Sequence, residues 1–236
     1  MKKYILLSLV LLMYGCIKVG DWQEDFLLET LFEHNDRRLT NYDAITENDK
    51  QVVWSEEFDN NNSKFPFDIS IAQNFITANI QGSTLIIDYT RAKELQYDIP
   101  FTIDENRNFE VEMRFFINDD IFNQTHIIIF SPSDSLKYQL YFYRYSLSGE
   151  KRTDIVFEKD NNIYFKLFDW DSEDYLRLNE FSIITIRKIN SKYSFFINHK
   201  LFYILNDKDF SCNKSCIVIS RGRNIFDHVR ISYTDD

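Results

Sequence analysis

Hydrophobic and polar residues alternate over most of the chain after Trp54, and the segment Asn108–Ile117 shows the pattern most clearly. Its apolar residues fall on one side of a two-residue repeat and its polar residues on the other: Phe109, Val111, Met113 and Phe115 against Glu110, Glu112 and Arg114. A period of two is typical of a β-strand with one face in a core and the other toward water. The segment therefore predicts a half-buried strand.

Similar short segments follow one another to the end of the chain, separated by turns rich in Asn and Asp. The segments that predict strands are 52–58, 75–80, 84–89, 97–101, 108–117, 126–130, 137–145, 153–157, 162–168, 181–189, 192–197, 201–205, 216–220 and 226–233. No helical segments are interleaved with them, and no long internal repeat recurs. The pattern predicts an all-β sandwich of two antiparallel sheets over residues 51–236.

The amino terminus has the features of an export signal. Lys2 and Lys3 precede an apolar run from Tyr4 to Tyr14, which is too short to span a membrane. The run ends in Met13-Tyr14-Gly15-Cys16, which resembles the lipobox of bacterial lipoproteins. The resemblance implies that residues 1–15 are a cleaved signal peptide and that Cys16 is acylated.

Lipidation of Cys16 would hold the chain at a membrane, because each buried CH₂ of an acyl chain contributes ~0.8 kcal/mol. Ile17 follows the cysteine where an Asp would retain a lipoprotein at the inner membrane. The resemblance therefore implies the outer membrane, with the protein facing the periplasm or the cell surface. An ordinary secretory leader is the alternative.

Residues 16–50 are expected to be a lipid-anchored tether with one short helix. The helix is predicted over Asp21–His34, where apolar residues recur at three- and four-residue spacing behind a capping Asp21. It could pack on the following domain or recruit a protein partner. The polar segment Asn35–Lys50 is interpreted as an irregular connection.

The order of several segments resembles the concanavalin A-like jelly rolls of laminin-G, pentraxin and legume-lectin type. The segments are WSEEFDNNN, IQGSTLIID, IDENRNFEVEMRF, NEFSIITIRKINSKYSFFINHKLF and IFDHVRISY, and the resemblance covers about residues 54–234. It implies two curved sheets, one of them concave. Asn198-His199 stands where the family has Asn-Gly, so a positive-φ turn is expected without glycine. Asp227 is expected to cap a turn before the closing strand.

Glycoside hydrolases also use this fold, so Glu110 and Glu112 are candidate catalytic carboxylates. They share a strand face about 7 Å apart, within the range for inverting enzymes. The retaining glucanases of the fold use an E-x-D-x-x-E type of strand, and this chain lacks the central Asp and the third acid. Whether the protein is an enzyme is left open, and the missing acids favour a non-catalytic protein.

Aromatic side chains give the leading functional hypothesis, since Phe, Trp and Tyr make up 17% of the chain. If the polar faces of several strands line one concave sheet, they form a Tyr-rich surface suited to the C–H faces and hydroxyls of a sugar. The residues predicted to bind ligand are Glu112, Arg114, Gln139, Tyr141, Tyr143, Tyr164, Lys166 and Trp170. The alternative is a half-exposed sheet face that is aromatic because the whole chain is.

Metal and redox chemistry receive little support. The four His residues lack a second ligand at zinc spacing. No cofactor is therefore expected, although the acidic loop 169–174 leaves Ca²⁺ open. Cys212 and Cys216 could form a disulfide in an oxidising compartment, or remain thiols.

The formal net charge of −10 disfavours nucleic acid as a partner. The sequence thus predicts a membrane-anchored lipoprotein of the bacterial envelope that binds glycan or glycoconjugate without catalysis. A glycoside hydrolase of the same fold and an envelope protein–protein interaction module are the alternatives.

Overall fold

A computed structural model describes residues 36–59, 76–89, 95–116, 125–133, 136–147, 150–160, 162–167, 175–205, 210–212, 215–219 and 222–234. The predicted signal peptide, Cys16, the helix predicted over Asp21–His34 and the acidic loop 169–174 lie outside the described residues. Within them, helix is confined to α1 (Arg37–Thr40) and two single 3₁₀ turns, Tyr42–Ala44 and Glu47–Asp49.

Strands make up the rest of the regular structure. They are β1 (Lys50–Glu56), β2 (Ile76–Ile80), β3 (Leu85–Tyr89), β4 (Leu95–Asp98), β5 (Phe109–Phe116), β6 (Thr125–Ser133), β7 (Leu136–Leu147), β8 (Glu150–Lys159), β9 (Asn162–Leu167), β10 (Phe181–Ile189), β11 (Lys192–Ile197), β12 (Lys200–Leu205), β13 (Ser215–Ile219) and β14 (Gly222–Thr234). Each predicted strand has an observed counterpart, and the prediction of an all-β sandwich is confirmed.

The strands form two antiparallel sheets of the jelly-roll type. Sheet A has eight strands in the order β12-β11-β10-β5-β14-β3-β2, with β1 also paired to β14. Sheet B has six strands in the order β4-β13-β6-β7-β8-β9. The last strand in sequence, β14, therefore lies in the middle of sheet A and pairs with β5, β3 and β1.

The core lies between the sheets and is built largely from aromatic rings. Phe109 and Phe115 of β5 are fully buried, as the alternation predicts. Phe115 meets Phe142 of β7 with ring centroids 5.2 Å apart, so the two sheets touch at this level. Burial of each such ring contributes on the order of 1.5–3 kcal/mol, so these rings supply much of the stabilisation of the core.

Residues 36–49, named the strap from here on, are in contact with the outward face of sheet A. Leu39 and Ile45 of the strap bury a small apolar cluster with Ile189 of β10. Asp36 caps α1 through a hydrogen bond from the backbone N–H of Arg38, 2.9 Å long. The sequence predicts an irregular connection over Asn35–Lys50, whereas the strap folds into short helical turns because it packs its apolar and polar side chains on sheet A.

The hairpin turn between β11 and β12 of sheet A contains left-handed residues other than glycine. Asn198 and His199 have φ values of 47° and 67°, which confirms the positive-φ turn expected there. The Asn198 side chain holds the turn by accepting from the backbone N–H of Ile183 at 2.9 Å and donating to the carbonyl of Tyr175 at 2.6 Å. Asn tolerates the left-handed region better than most residues.

Candidate binding surfaces

The predicted ligand-binding residues do not share one surface. Glu112 and Arg114 belong to β5 and point to the outward face of sheet A, opposite the buried Val111, Met113 and Phe115. Gln139 and Tyr141 belong to β7 in sheet B, where they alternate with the buried residues of that strand. The expectation of one shared surface is therefore wrong, because period-two alternation identifies a face of a strand and not the sheet to which the strand belongs.

Glu110 is buried in an ion-pair cluster and is only 2% exposed. One carboxylate oxygen accepts a hydrogen bond from Arg187 Nε, and the other lies 2.8 Å from Lys50 Nζ. Arg187 also donates to the backbone carbonyls of Arg38, Asn41 and Tyr42 in the strap, at 2.6, 2.9 and 2.7 Å. A carboxylate enclosed in this way cannot reach a substrate, so the geometry argues against Glu110 and Glu112 as a catalytic pair.

Glu112 belongs to a second polar cluster on the same face. His228 lies between two carboxylates, with Nε2 3.0 Å from Glu112 Oε1 and Nδ1 3.0 Å from Asp227 Oδ2. The Tyr42 hydroxyl of the strap donates to the other Glu112 oxygen at 3.2 Å. The cluster therefore connects the strap to β5 and β14, and Asp227 pairs with side chains here instead of capping a turn.

Electrostatics in this cluster favour an imidazolium between two carboxylates. Burial disfavours the charge of His228, but its hydrogen bonds to Glu112 and Asp227 outweigh burial and raise the pKa of His228 above 6.5. Burial likewise opposes the charge of Glu112, yet His228 holds the pKa of that carboxyl below its ordinary value. Burial, followed by the nearby Glu112 charge, raises the pKa of Tyr42 to about 12, so its hydroxyl remains a donor.

Arg114 lies on the same outward face of sheet A, two residues after Glu112, and its side chain is 38% exposed. Its Nη1 donates to Asp227 Oδ2 at 2.9 Å, and its guanidinium lies 4.6 Å from the ring centroid of Phe181. The ring of Phe116 meets that of Phe181 edge-on at 5.4 Å. The Arg114 guanidinium therefore stacks on an aromatic ring, and part of the side chain remains exposed to solvent.

Tyr141 occupies the outward face of sheet B together with Gln139 and Glu158. Gln139 pairs with Glu158 across β7 and β8, and the Tyr141 hydroxyl donates to Glu158 Oε2 at 3.2 Å. Burial and the Glu158 charge raise the pKa of Tyr141 to about 12. Among the described residues no group hydrogen-bonds the half-buried amide of Gln139, which leaves its donors and acceptor available.

The remaining predicted ligand residues can be placed only by strand position. Tyr143 pairs with Asp154 in register, and Lys166 pairs with Val156 next to Tyr141. Tyr164 lies at the register shift between β8 and β9. Their side chains and all of Trp170 lie outside the described parts of the chain. In the strand register, the positions of Tyr143 and Lys166 are therefore neighbours of those of Gln139 and Tyr141.

Cys212 is a fully buried thiol whose pKa is raised by burial and then by the Glu105 charge. Glu105 accepts from the Cys212 backbone N–H at 2.8 Å and from the Ser211 hydroxyl at 2.6 Å. The Cys216 side chain lies outside the described side chains, so the disulfide stays a prediction. In the described part of the chain, no three His, Cys, Asp or Glu residues could hold a metal ion together, and loop 169–174 lies outside that part.

Sequence reasoning missed three members of these surfaces, namely Tyr42, Glu158 and His228. Glu158 could have been found from its period-two position in β8, but choosing it required the register that sets it opposite Gln139. His228 and Tyr42 carry no local signal, because their partner Glu112 lies 116 and 70 residues away in sequence.

No protein-family model matches the chain, and no curated protein sequence is significantly similar to it. Solved structures nevertheless resemble it. The CBM2 module of the evolved Dit of Lactobacillus casei BL23 phage J-1 has 9% identity and a TM-score of 0.53, over 80% of this chain and 98% of that chain. A structure from the human gut microbiota, associated with endo-acting O-glycanases that initiate mucin breakdown, has 9% identity and a TM-score of 0.55. The match covers 78% of this chain and 100% of that chain.

The laminarinase catalytic domain of Thermotoga maritima MSB8 has 12% identity and a TM-score of 0.51, over 80% of this chain and 99% of that chain. At these identities the likeness establishes the fold. The chain is a jelly-roll β-sandwich of the concanavalin A-like kind, whose structural neighbours are carbohydrate-binding modules and glycanases. Across the described segments, no helix has the length and apolar character needed to cross a bilayer.

Proposed function

We propose that this protein is a non-catalytic glycan-binding module and that its binding face is the outward side of sheet B. The observation that carries the proposal is the arrangement of Tyr141 beside the amide of Gln139 and the carboxylate of Glu158. The neighbouring folds support the class of ligand, because both carbohydrate-binding modules and glycanases are among them.

The chemistry of this face matches that of a sugar ring. A tyrosine ring packs against the C–H face of a pyranose, while amide and carboxylate groups exchange hydrogen bonds with its hydroxyls. Gln139 offers two donors and one acceptor, and Glu158 offers acceptors alone. Tyr143 and Lys166, which are next to this group in the strand register, would extend the surface along β7 and β9.

The absence of catalysis is proposed on the geometry of the candidate acids. Glu110 has both oxygens in ion pairs beneath the strap, and Glu112 is held by His228 and Tyr42. Neither carboxylate belongs to the sheet that carries Tyr141.

The binding experiment measures retention of the full-length protein on immobilised β-1,3-glucan and mucin-type O-glycans, chosen because structural neighbours act on them. Tyr141→Ala and Gln139→Ala should each weaken binding at least about tenfold, which corresponds to 1.4 kcal/mol. Val52→Ala is the matched control, since Val52 is 50% exposed on β1 of the other sheet and should bind as the wild type does. Equal binding by wild type and Tyr141→Ala would exclude this face, and new reducing ends would exclude a non-catalytic role.

We also propose that the module is anchored in the outer membrane through acylated Cys16, as the Gly15-Cys16 ending of the leader suggests. Incorporation of a labelled fatty acid that disappears in Cys16→Ser would support the anchor. A wild-type protein recovered without label from the aqueous fraction would contradict it.

A further inference from the structure

We propose that the outward face of sheet A around Arg114 is a second binding surface, separate from the Tyr141 face, for one ring of a neutral, hydroxyl-rich ligand such as a sugar. Six residues form it: Arg114 and Phe116 of β5, Phe181 and Ile183 of β10, and Ile225 and Asp227 of β14.

Strand register brings the apolar part of this surface together. Phe116 pairs with Phe181 on one side and with Ile225 on the other, and Arg114 pairs with Ile183 one step along the same face. All of these side chains are half-buried, so each presents part of its surface to solvent. The result is an outward row of rings and aliphatic groups that ends at a guanidinium.

The polar part offers both donors and acceptors. Arg114 is 38% exposed and bonds Asp227 through Nη1 alone, and its other N–H groups find no acceptor among the described residues. Asp227 is 26% exposed and uses Oδ2 for both Arg114 and His228, which leaves Oδ1 as an acceptor. Vicinal hydroxyls could accept from Arg114 and donate to Asp227 while the C–H face of the ring packs on Phe116.

The paired charges of Arg114 and Asp227 favour a neutral ligand over an anionic one. The Asp227 carboxylate, 2.9 Å from Arg114, already balances the guanidinium, so an anionic ligand would face a carboxylate of like charge. Both groups are also held in place before the ligand arrives, since Arg114 stacks on Phe181 and Asp227 contacts His228. Preorganisation of this kind lowers the entropy cost of binding.

The two surfaces are on opposite sides of the sandwich. Phe115, next to Arg114, contacts Phe142, next to Tyr141, through the core. A ligand on one face therefore leaves the other accessible, and a single chain could join two glycan strands.

The experiment follows the side-chain Nε–H resonance of Arg114 by NMR in the full-length protein carrying Tyr141→Ala. The probes are a neutral β-1,3-linked gluco-oligosaccharide, neutral mucin-type O-glycans and a sulfated oligosaccharide. We expect a neutral probe to shift the Arg114 signal. The signal of Arg177, a surface arginine paired with Glu180 at 3.6 Å, should stay unchanged. With Tyr141 intact, Arg114→Met should lower the stoichiometry from two oligosaccharides per chain to one.

An Arg114 signal unmoved by every probe would overturn the second surface, whether or not the Tyr141 face binds. A larger response to the sulfated probe than to the neutral ones would overturn the class of ligand. If Arg114 responds while Tyr141→Ala has no effect on retention, the second surface stands and the sheet B proposal fails.

Discussion

Glu110 and Arg187 form an ion pair directly across strands β5 and β10, and both side chains are hidden from solvent beneath the strap. Breaking a buried pair on one side leaves an uncompensated charge and typically costs about 3–5 kcal/mol. Arg187→Met should lower the free energy of unfolding by about this amount, as measured by chemical denaturation, because Glu110 then retains Lys50 alone.

The matched control for that variant is Arg177→Met, which removes an exposed pair with Glu180. Exposed pairs contribute little, so the change should stay within about 0.5 kcal/mol. Similar losses for the two arginine variants would show that the buried pair contributes no more than an exposed one.

His228 should make stability depend on pH near neutrality. Its pKa is raised in the folded state, so its contribution is fully present below the unfolded-state value of 6.5 and is lost as pH rises through the folded-state value. The difference in free energy of unfolding between wild type and His228→Gln should therefore be largest slightly below pH 6.5 and shrink at alkaline pH. A difference that grows with rising pH would contradict the imidazolium assignment.

Tyr42 should hold the strap on sheet A through its hydroxyl. The bond to Glu112 involves a charged acceptor, so Tyr42→Phe should cost about 1.5 kcal/mol or somewhat more. Hydrogen exchange measured by mass spectrometry should become faster in the strap and stay unchanged in β7. Unchanged exchange in the strap would show that Arg187 and the apolar cluster hold it without Tyr42.

Asn198 allows backbone strain to be separated from side-chain bonding. Asn198→Gly loses the bonds to Ile183 and Tyr175 but keeps the left-handed φ of 47° without strain. Asn198→Ala loses the bonds and adds strain, so it should be less stable than the Gly variant by about 1–2 kcal/mol in thermal unfolding. Equal melting temperatures would contradict a strained turn.

Much of the fold could be predicted from periodicity, because an alternating strand carries its own signal. Phe181–Ile189 and Lys192–Ile197 were predicted with the bounds that β10 and β11 have. The closely spaced rings of Phe157, Phe195 and Phe210 show how the fold brings aromatic residues together in the core.

The candidate surfaces could be predicted only in part, because they depend on which strands become neighbours. Arg187 lies opposite Glu110 on the outward face of β10, yet it is fully buried and bonded to carbonyls 145 to 149 residues earlier in the chain. Glu110 was expected to face water and lies under the strap. A two-residue repeat cannot show that a segment distant in sequence, such as the strap, covers one face of a sheet.

The position of β14 has a consequence for how the protein is made. Sheet A cannot be completed until residues 222–234 emerge from the ribosome, since β14 joins β5 to β3 and β1. A growing chain would meanwhile present those strands as open edges, and such edges invite pairing with other molecules. Assembly of sheet A therefore waits for residues 222–234, and contacts so distant in sequence are expected to form slowly.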